Sequence, residues 1–154
     1  MRTVLVTGGT TRLGKAIADG LERAGWRVVR SSHRADAGAD VVADLSREGG
    51  ADALFASVCS LLGGEPPYAV VNNAALYSGE GDAVRRVNLE APRRLSELMA
   101  GREGGGAVVN VLDCRVMQGG FSPVGCYEET KARLRDYTLS FRTSGGRQIG
   151  RAHV

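Results

Sequence analysis

The chain lacks the usual marks of disulfide-built, membrane-spanning and nucleic-acid-binding proteins. It has only three cysteines, Cys59, Cys114 and Cys126, at spacings that form neither a disulfide framework nor a metal motif. Free thiols in a reducing cytoplasm follow as the expectation. No apolar run approaches the ~18 residues that would predict a membrane helix. The opening Thr3-Val4-Leu5-Val6 is too short for a secretory h-region and runs straight into glycines. Charge of one sign is also scarce. A net charge of +3, with Lys and Arg scattered, argues for a solvated surface and against nucleic-acid partners. Internal repeats and low-complexity linkers are absent, so a single domain is expected.

What is present is an alternation of short β-branched runs with amphipathic stretches. Residues 3–7, 27–31, 40–43, 68–72 and 107–112 read as strands. Residues 12–24, 51–62, 89–100 and 123–141 read as helices. On the first helix, Leu13, Ile17, Ala18, Leu21 and Ala24 share one face. Near-continuous apolar strands alternating with such helices predict an α/β fold. Its parallel sheet is doubly wound, with both faces covered.

Thr7-Gly8-Gly9-Thr10-Thr11-Arg12-Leu13-Gly14 lies between the first strand and the first helix. Glycines there permit a tight turn and close approach to a pyrophosphate at a helix N-terminus. The second strand ends in Ser31-Ser32-His33-Arg34, with no carboxylate before Asp36. Hydroxyls plus a guanidinium favour a ribose 2′-phosphate over free ribose hydroxyls, which predicts NADPH as cofactor. Tyr127 and Lys131, at i, i+4 spacing, share one helix face. Phenol ionises near pH ~10, and a neighbouring ammonium is expected to bring Tyr127 down toward neutrality as a general acid.

In this order along the chain, these motifs resemble the short-chain dehydrogenases/reductases. The glycine loop is similar to the family's TGxxxGxG loop, with Arg12 at a position that is usually glycine. Arg12 and the His33-Arg34 pair resemble pteridine reductases within that family. The resemblance implies cofactor contacts from Thr7, Gly8, Thr11, Arg12, Leu13, Gly14, Ser32, His33 and Arg34. It adds Asp44 and Leu45 at the adenine, and Asn72 and Ala74 of an NNAG-type turn beside the ribose, where Lys131 also binds. It implies Tyr127, Lys131, Asn88 and Asp113 as the catalytic set. Asn88 would open a helix and support a water relay, and the interval from Asn72 is short enough that the helix between must be nearly absent. Asp113 stands in place of the family's serine, where pteridine reductases use Asp to assist protonation and bind the pterin amino group.

The implied activity is hydride transfer from NADPH to a small-molecule carbonyl or pterin-type C=N, in a homodimer or homotetramer. Two alternatives stay open. One is a 3-oxoacyl or ketone reductase within the family; the other is a non-catalytic NADP(H)-binding regulatory or scaffold protein on the same fold. The resemblance covers residues 1–142 and omits the family's last strands and substrate loop, so weak or no turnover is expected of the chain itself. Ile149-Gly150-Arg151-Ala152-His153-Val154 resembles a translated sequencing adapter, and residues 143–154 are therefore expected to be a non-native tail.

Overall fold

The computed structural model describes residues 1–35, 38–118 and 125–141. Five parallel strands form one sheet in the order β3-β2-β1-β4-β5. They are β1 (Thr3–Thr7), β2 (Arg27–Ser32), β3 (Val41–Val42), β4 (Ala69–Asn72) and β5 (Ala107–Asn110). Helices α1 (Arg12–Arg23), α2 (Gly50–Leu61), α3 (Gly81–Arg85), α4 (Ala91–Ala100) and α5 (Cys126–Ser140) connect and cover them.

Period-two alternation divides the strand side chains between two cores. Val4 and Val6 of β1 pack with Val71, Ala18, Ile17 and Leu21 on the α1 side. Leu5, between them, faces Val29, Val70 and Val108 together with Leu54 and Val58 of α2 and Leu95 and Met99 of α4. Leu134 of α5 joins a third cluster with Leu89, Leu112 and Val116. The doubly wound sheet expected from the sequence is the observed one.

Three local readings change. Leu13 is 46% exposed, and Ala24 is an exposed C-cap outside the buried stripe. The helix expected from Leu89 begins at Gly81 and runs continuously to Ala100 through a π-helical turn, Arg86–Glu90. Val84 and Val87 are buried at i, i+3, which anchors the earlier start. Asn88 therefore sits inside a helical run and does not open it; α3 before it is only five residues, as the short interval requires. Beyond β5, Val111 N–H still donates to Asn72 O (3.0 Å), and a 3-10 turn, Cys114–Met117, follows. The expected start of the last helix at Pro123 and the tail 143–154 lie outside the described residues, as does Asp36.

Candidate active site and nucleotide cradle

β1 delivers Thr7, 2% exposed, to the carboxyl edge of the sheet. Its Oγ1 accepts the N–H groups of Asn73 and Ala74, both at 3.0 Å, and donates to Val71 O. Asn73 Nδ2 returns the contact by donating to Thr7 O (3.1 Å) and Gly8 O (3.3 Å). The loop after β4 thus stitches the glycine loop in place. Gly14 completes the fit: a Cβ there would lie 2.0 Å from Gly8 O and 2.4 Å from Asn73 Nδ2. Gly8 has φ 63°, a left-handed value that glycine adopts without strain. Arg12 has φ 47° and is the one described non-glycine residue with positive φ. It stands where the loop pattern has glycine, so the backbone keeps a conformation the side chain opposes.

β2 holds the loop from the other side. Gly9 N–H donates to Ser31 O (3.1 Å), and Arg30 Nη1 donates to Gly9 O (3.2 Å). Arg30 in turn pairs with Asp19 (2.7 Å) and Glu22 (2.8 Å) of α1. At the strand's end Ser32 is buried and its Oγ accepts Arg34 N–H (3.2 Å), while His33 and Arg34 are exposed. Among the described residues, the side chains of Arg12, His33 and Arg34 have no hydrogen bond or ion pair. Thr11 caps α1 with extended backbone but no side-chain bond, leaving the first-turn amides uncapped by a side chain. An uncapped helix start flanked by these donors suits a polyphosphate, so the described residues fit a nicotinamide dinucleotide.

Asp44 accepts from Ser46 N–H (2.9 Å), Ser46 Oγ (2.6 Å) and Arg47 Nε (3.3 Å), and the Ser46 contacts above all hold its carboxyl below the ordinary range. Leu45 is buried in the core. Asn72 points away from the glycine loop. Its Nδ2 donates to Asn110 Oδ1 (2.8 Å), and Asn110 donates to Thr138 of α5 (2.9 Å), a buried polar line joining β4, β5 and α5.

α5 and the β5 exit bring Tyr127, Lys131 and Asp113 together. Tyr127 donates its hydroxyl to Asp113 Oδ2 (3.2 Å). Lys131, 4% exposed, donates Nζ to Val111 O (2.9 Å) and lies 6.0 Å from the Tyr127 ring centroid. Burial lowers Lys131 to about 8. Asn88 is fully buried; its Oδ1 accepts Leu76 N–H (2.7 Å), while Nδ2 donates to Leu76 O (2.8 Å) and Thr130 Oγ1 (3.3 Å). It ties the loop after β4 to α5. The expectation that Lys131 lowers the Tyr127 pKa is corrected. Burial, followed by the charge and hydrogen bond of Asp113, pushes Tyr127 up to about 12. The phenol meets a carboxylate at contact distance, whereas the ammonium is held by a carbonyl further away.

Sequence reasoning missed Arg30, Thr130 and Arg115, and gave Asn73 no role of its own within the Asn72-Asn73-Ala74-Ala75 turn. Asp19 and Glu22, spaced i, i+3 on α1, were a readable signal for a basic partner such as Arg30. Thr130 and Arg115 carry no such pattern. The cysteines stand apart from this chemistry: all three are free thiols, with Cys114 and Cys126 exposed. No helix among the described residues is long and apolar enough to cross a membrane.

No protein-family model matches the chain, and no curated protein matches it by sequence. Solved structures do. The Brucella canis FolM alternative dihydrofolate reductase 1, complexed with NADP, is similar at 28% identity and TM-score 0.80, over 96% of this chain and 70% of that one. The chain has the fold of the short-chain dehydrogenases/reductases. A metagenomic short-chain oxidoreductase in complex with NADP matches at 24% identity and TM-score 0.79, over 99% of this chain and 79% of that one. The 3-alpha-hydroxysteroid dehydrogenase from Pseudomonas sp. B-0831, complexed with NADH, matches at 21% and 0.78, over 98% and 70%. The short-chain dehydrogenase/reductase fold thus occurs with either nicotinamide dinucleotide among these neighbours.

Proposed function

We propose that this chain serves an NADPH-dependent oxidoreductase of the short-chain dehydrogenase/reductase family, reducing a small-molecule carbonyl or pterin-type C=N. The observation that carries the reading is the Tyr127–Asp113 hydrogen bond at the carboxyl edge of the sheet, with buried Lys131 held on Val111 O beside it. NADPH is favoured because Arg12, His33 and Arg34 stand exposed and without side-chain partners among the described residues, around an uncapped helix start. Thr7, Gly8, Thr11, Leu13, Gly14, Ser32 and Ala74 would line the cradle with Asp44 at its adenine end, and Leu45 and Asn72 would support it from the buried side. When bound, the reduced nicotinamide supplies the hydride.

Tyr127, protonated throughout the neutral range, holds the proton that the substrate oxygen or ring nitrogen takes up. Lys131 sits behind it with charge to hold a ribose hydroxyl, and Asn88 fixes the loop that forms the facing wall. Asp113 offers acceptor oxygens, which complement an amino-substituted heterocycle better than a simple ketone. The likeness to a reductase named for dihydrofolate supports this side of the reading. A homodimer or homotetramer is proposed for the working form.

The test measures NADPH binding by fluorescence and consumption of reduced nicotinamide with ketone and pterin substrates, for a form of the protein that carries the family's last strands and substrate loop, and for its Tyr127→Phe variant. Cofactor binding should survive in the variant while reduction falls by ~10²-fold or more. Reduction unchanged by Tyr127→Phe would remove this mechanism. NADPH binding without reduction of any substrate would favour the scaffold alternative.

A further inference from the structure

One guanidinium near the site lies outside both the nucleotide cradle and the Tyr127–Lys131 pair. Arg115, in the 3-10 turn after β5, donates Nε to Asp113 Oδ1 and Nη2 to Asp113 Oδ2, each at 3.2 Å. Its backbone N–H donates to the same Oδ1 at 2.9 Å. Nη1 lies 3.5 Å from Glu128 Oε1 on α5, and Tyr77, in the loop after β4, packs its ring 4.8 Å from that of Tyr127. One side chain therefore joins the turn after β5 to α5 beside the Tyr127 hydroxyl.

We propose that Arg115 is a positioning residue that clamps the Asp113 carboxylate as a hydrogen-bond acceptor beside the Tyr127 hydroxyl. The inference rests on the reductase reading above and deepens it toward substrate class. A parallel two-point fork fixes the plane of a carboxylate, which a single backbone bond does not. Without the fork, Asp113 keeps Oδ1 on the turn but Oδ2 is free to rotate away from Tyr127. Among the described residues, Arg115 from its own turn and Tyr127 from α5 contact the Asp113 carboxylate, with Glu128 and Lys131 of α5 and Tyr77 of the β4 loop around them. Arg115 stands between the carboxylates of Asp113 and Glu128 and offsets their repulsion. Lys131 is bound to Val111 O and reaches Asp113 only through space.

The Asp113 carboxyl is accordingly held below the ordinary range, first by the Arg115 side chain and then by its backbone N–H. At neutral pH the substrate meets an acceptor here, and Tyr127 is the group with a proton to give. As Tyr127 turns its hydroxyl to the substrate, Oδ2 regains an acceptor position, and the site then selects ligands with an N–H facing Asp113, the pattern of an amino-substituted heterocycle. This refines the role inferred for Asp113 from sequence: it binds and orients, and protonation falls to Tyr127.

The experiment follows the Asp113 carboxyl by isotope-edited NMR through an acid titration of the full chain. Asp113→Asn assigns the signal, and Arg115→Gln and Arg115→Lys perturb it. Asp113 should titrate below the ordinary carboxylate range in the parent chain, move up in Arg115→Gln, and return part of the way in Arg115→Lys. Diaminopyrimidine, used as a donor-rich probe on the chain loaded with NADP, should bind ~10-fold more weakly to Arg115→Gln, while NADP affinity is unchanged. An Asp113 titration identical in the parent and Arg115→Gln, with circular dichroism preserved, would overturn the clamp. So would equal diaminopyrimidine affinity in both. Failure of the parent chain to bind NADP would count against the reductase reading instead, and the carboxyl titration would still decide the clamp.

Discussion

The Tyr127 hydroxyl donates to Asp113 Oδ2 at 3.2 Å across fourteen residues of sequence, from the first turn of α5 to the exit of β5. The contact favours the protonated phenol, since ionising Tyr127 would place two negative charges against each other. Together with burial, it raises Tyr127 to about 12. Replacing Asp113 by Asn removes the charge and keeps the shape. The Tyr127 ionisation should then move back toward the ordinary value of about 10. Ultraviolet difference titration of Asp113→Asn, with Tyr127→Phe as reference, measures this, and an unmoved transition would mean that burial alone sets the phenol.

Gly14 is a second point where one atom decides. Its missing Cβ leaves room for Gly8 O and Asn73 Nδ2 at separations no side chain tolerates. Gly14→Ala should cost roughly 1–3 kcal/mol of stability by overpacking and weaken NADPH binding as the loop shifts. Gly20→Ala in the same helix is the control. A Cβ there meets only Arg23 Nη2 at 3.8 Å, so helix propensity should dominate and add about 1 kcal/mol. Urea unfolding of both variants checks the opposite signs.

Arg12 sets stability against binding. Its φ of 47° costs an L-residue about 1–2 kcal/mol, which exceeds the ~0.5–1 kcal/mol of extra chain entropy that glycine loses on folding. Arg12→Gly should therefore stabilise the chain by about 0.5–1 kcal/mol. It should also weaken NADPH by ~10-fold relative to NADH, through loss of a charge-assisted phosphate contact. Denaturant melts and paired cofactor titrations test the two halves separately. A variant that is both weaker in binding and less stable would show that Arg12 relieves strain through contacts beyond the loop.

The parallel sheet and the glycine loop were legible because periodicity and glycine placement are local properties. Leu5 between Val4 and Val6 announces a strand covered on both faces, and the structure divides those residues between two cores. What stayed hidden depends on contacts between distant segments. The Asn73 bonds to Thr7 and Gly8 span more than sixty residues, and nothing near Asn73 in sequence points to them. The π-helical turn that buries Asn88 was illegible for the same reason: its Leu76 and Thr130 contacts lie on two other segments. The direction of the Tyr127 shift was misread because the i, i+4 lysine is visible in sequence, whereas the carboxylate that reaches the phenol comes from another strand's end.

Lys131 gives the last prediction, on pH and stability. Burial lowers its folded-state pKa from 10.5 to about 8, so below pH 8 the ammonium is charged in both folded and unfolded chains, and the folded state bears the desolvation cost. Between about 8 and 10.5 the unfolded chain binds the proton that the folded chain has released. The Lys131 contribution to unfolding free energy therefore rises with pH across that window, by an amount on the order of 3 kcal/mol. Tyr127 and Tyr137, each raised to about 12, act in the opposite sense once pH passes their ordinary value of 10, because the unfolded chain then loses protons first. Cys59, raised by burial from 9.0, acts likewise once pH passes 9, so the rise should be clearest between pH 8 and 9. Lys131→Met keeps the apolar stem and deletes the charge, so it should flatten the rise and leave the chain more stable than its parent at pH 7. Urea unfolding at intervals from pH 7 to pH 10 checks both, and a Lys131→Met variant whose stability keeps the parent's pH dependence would place the titration on another group.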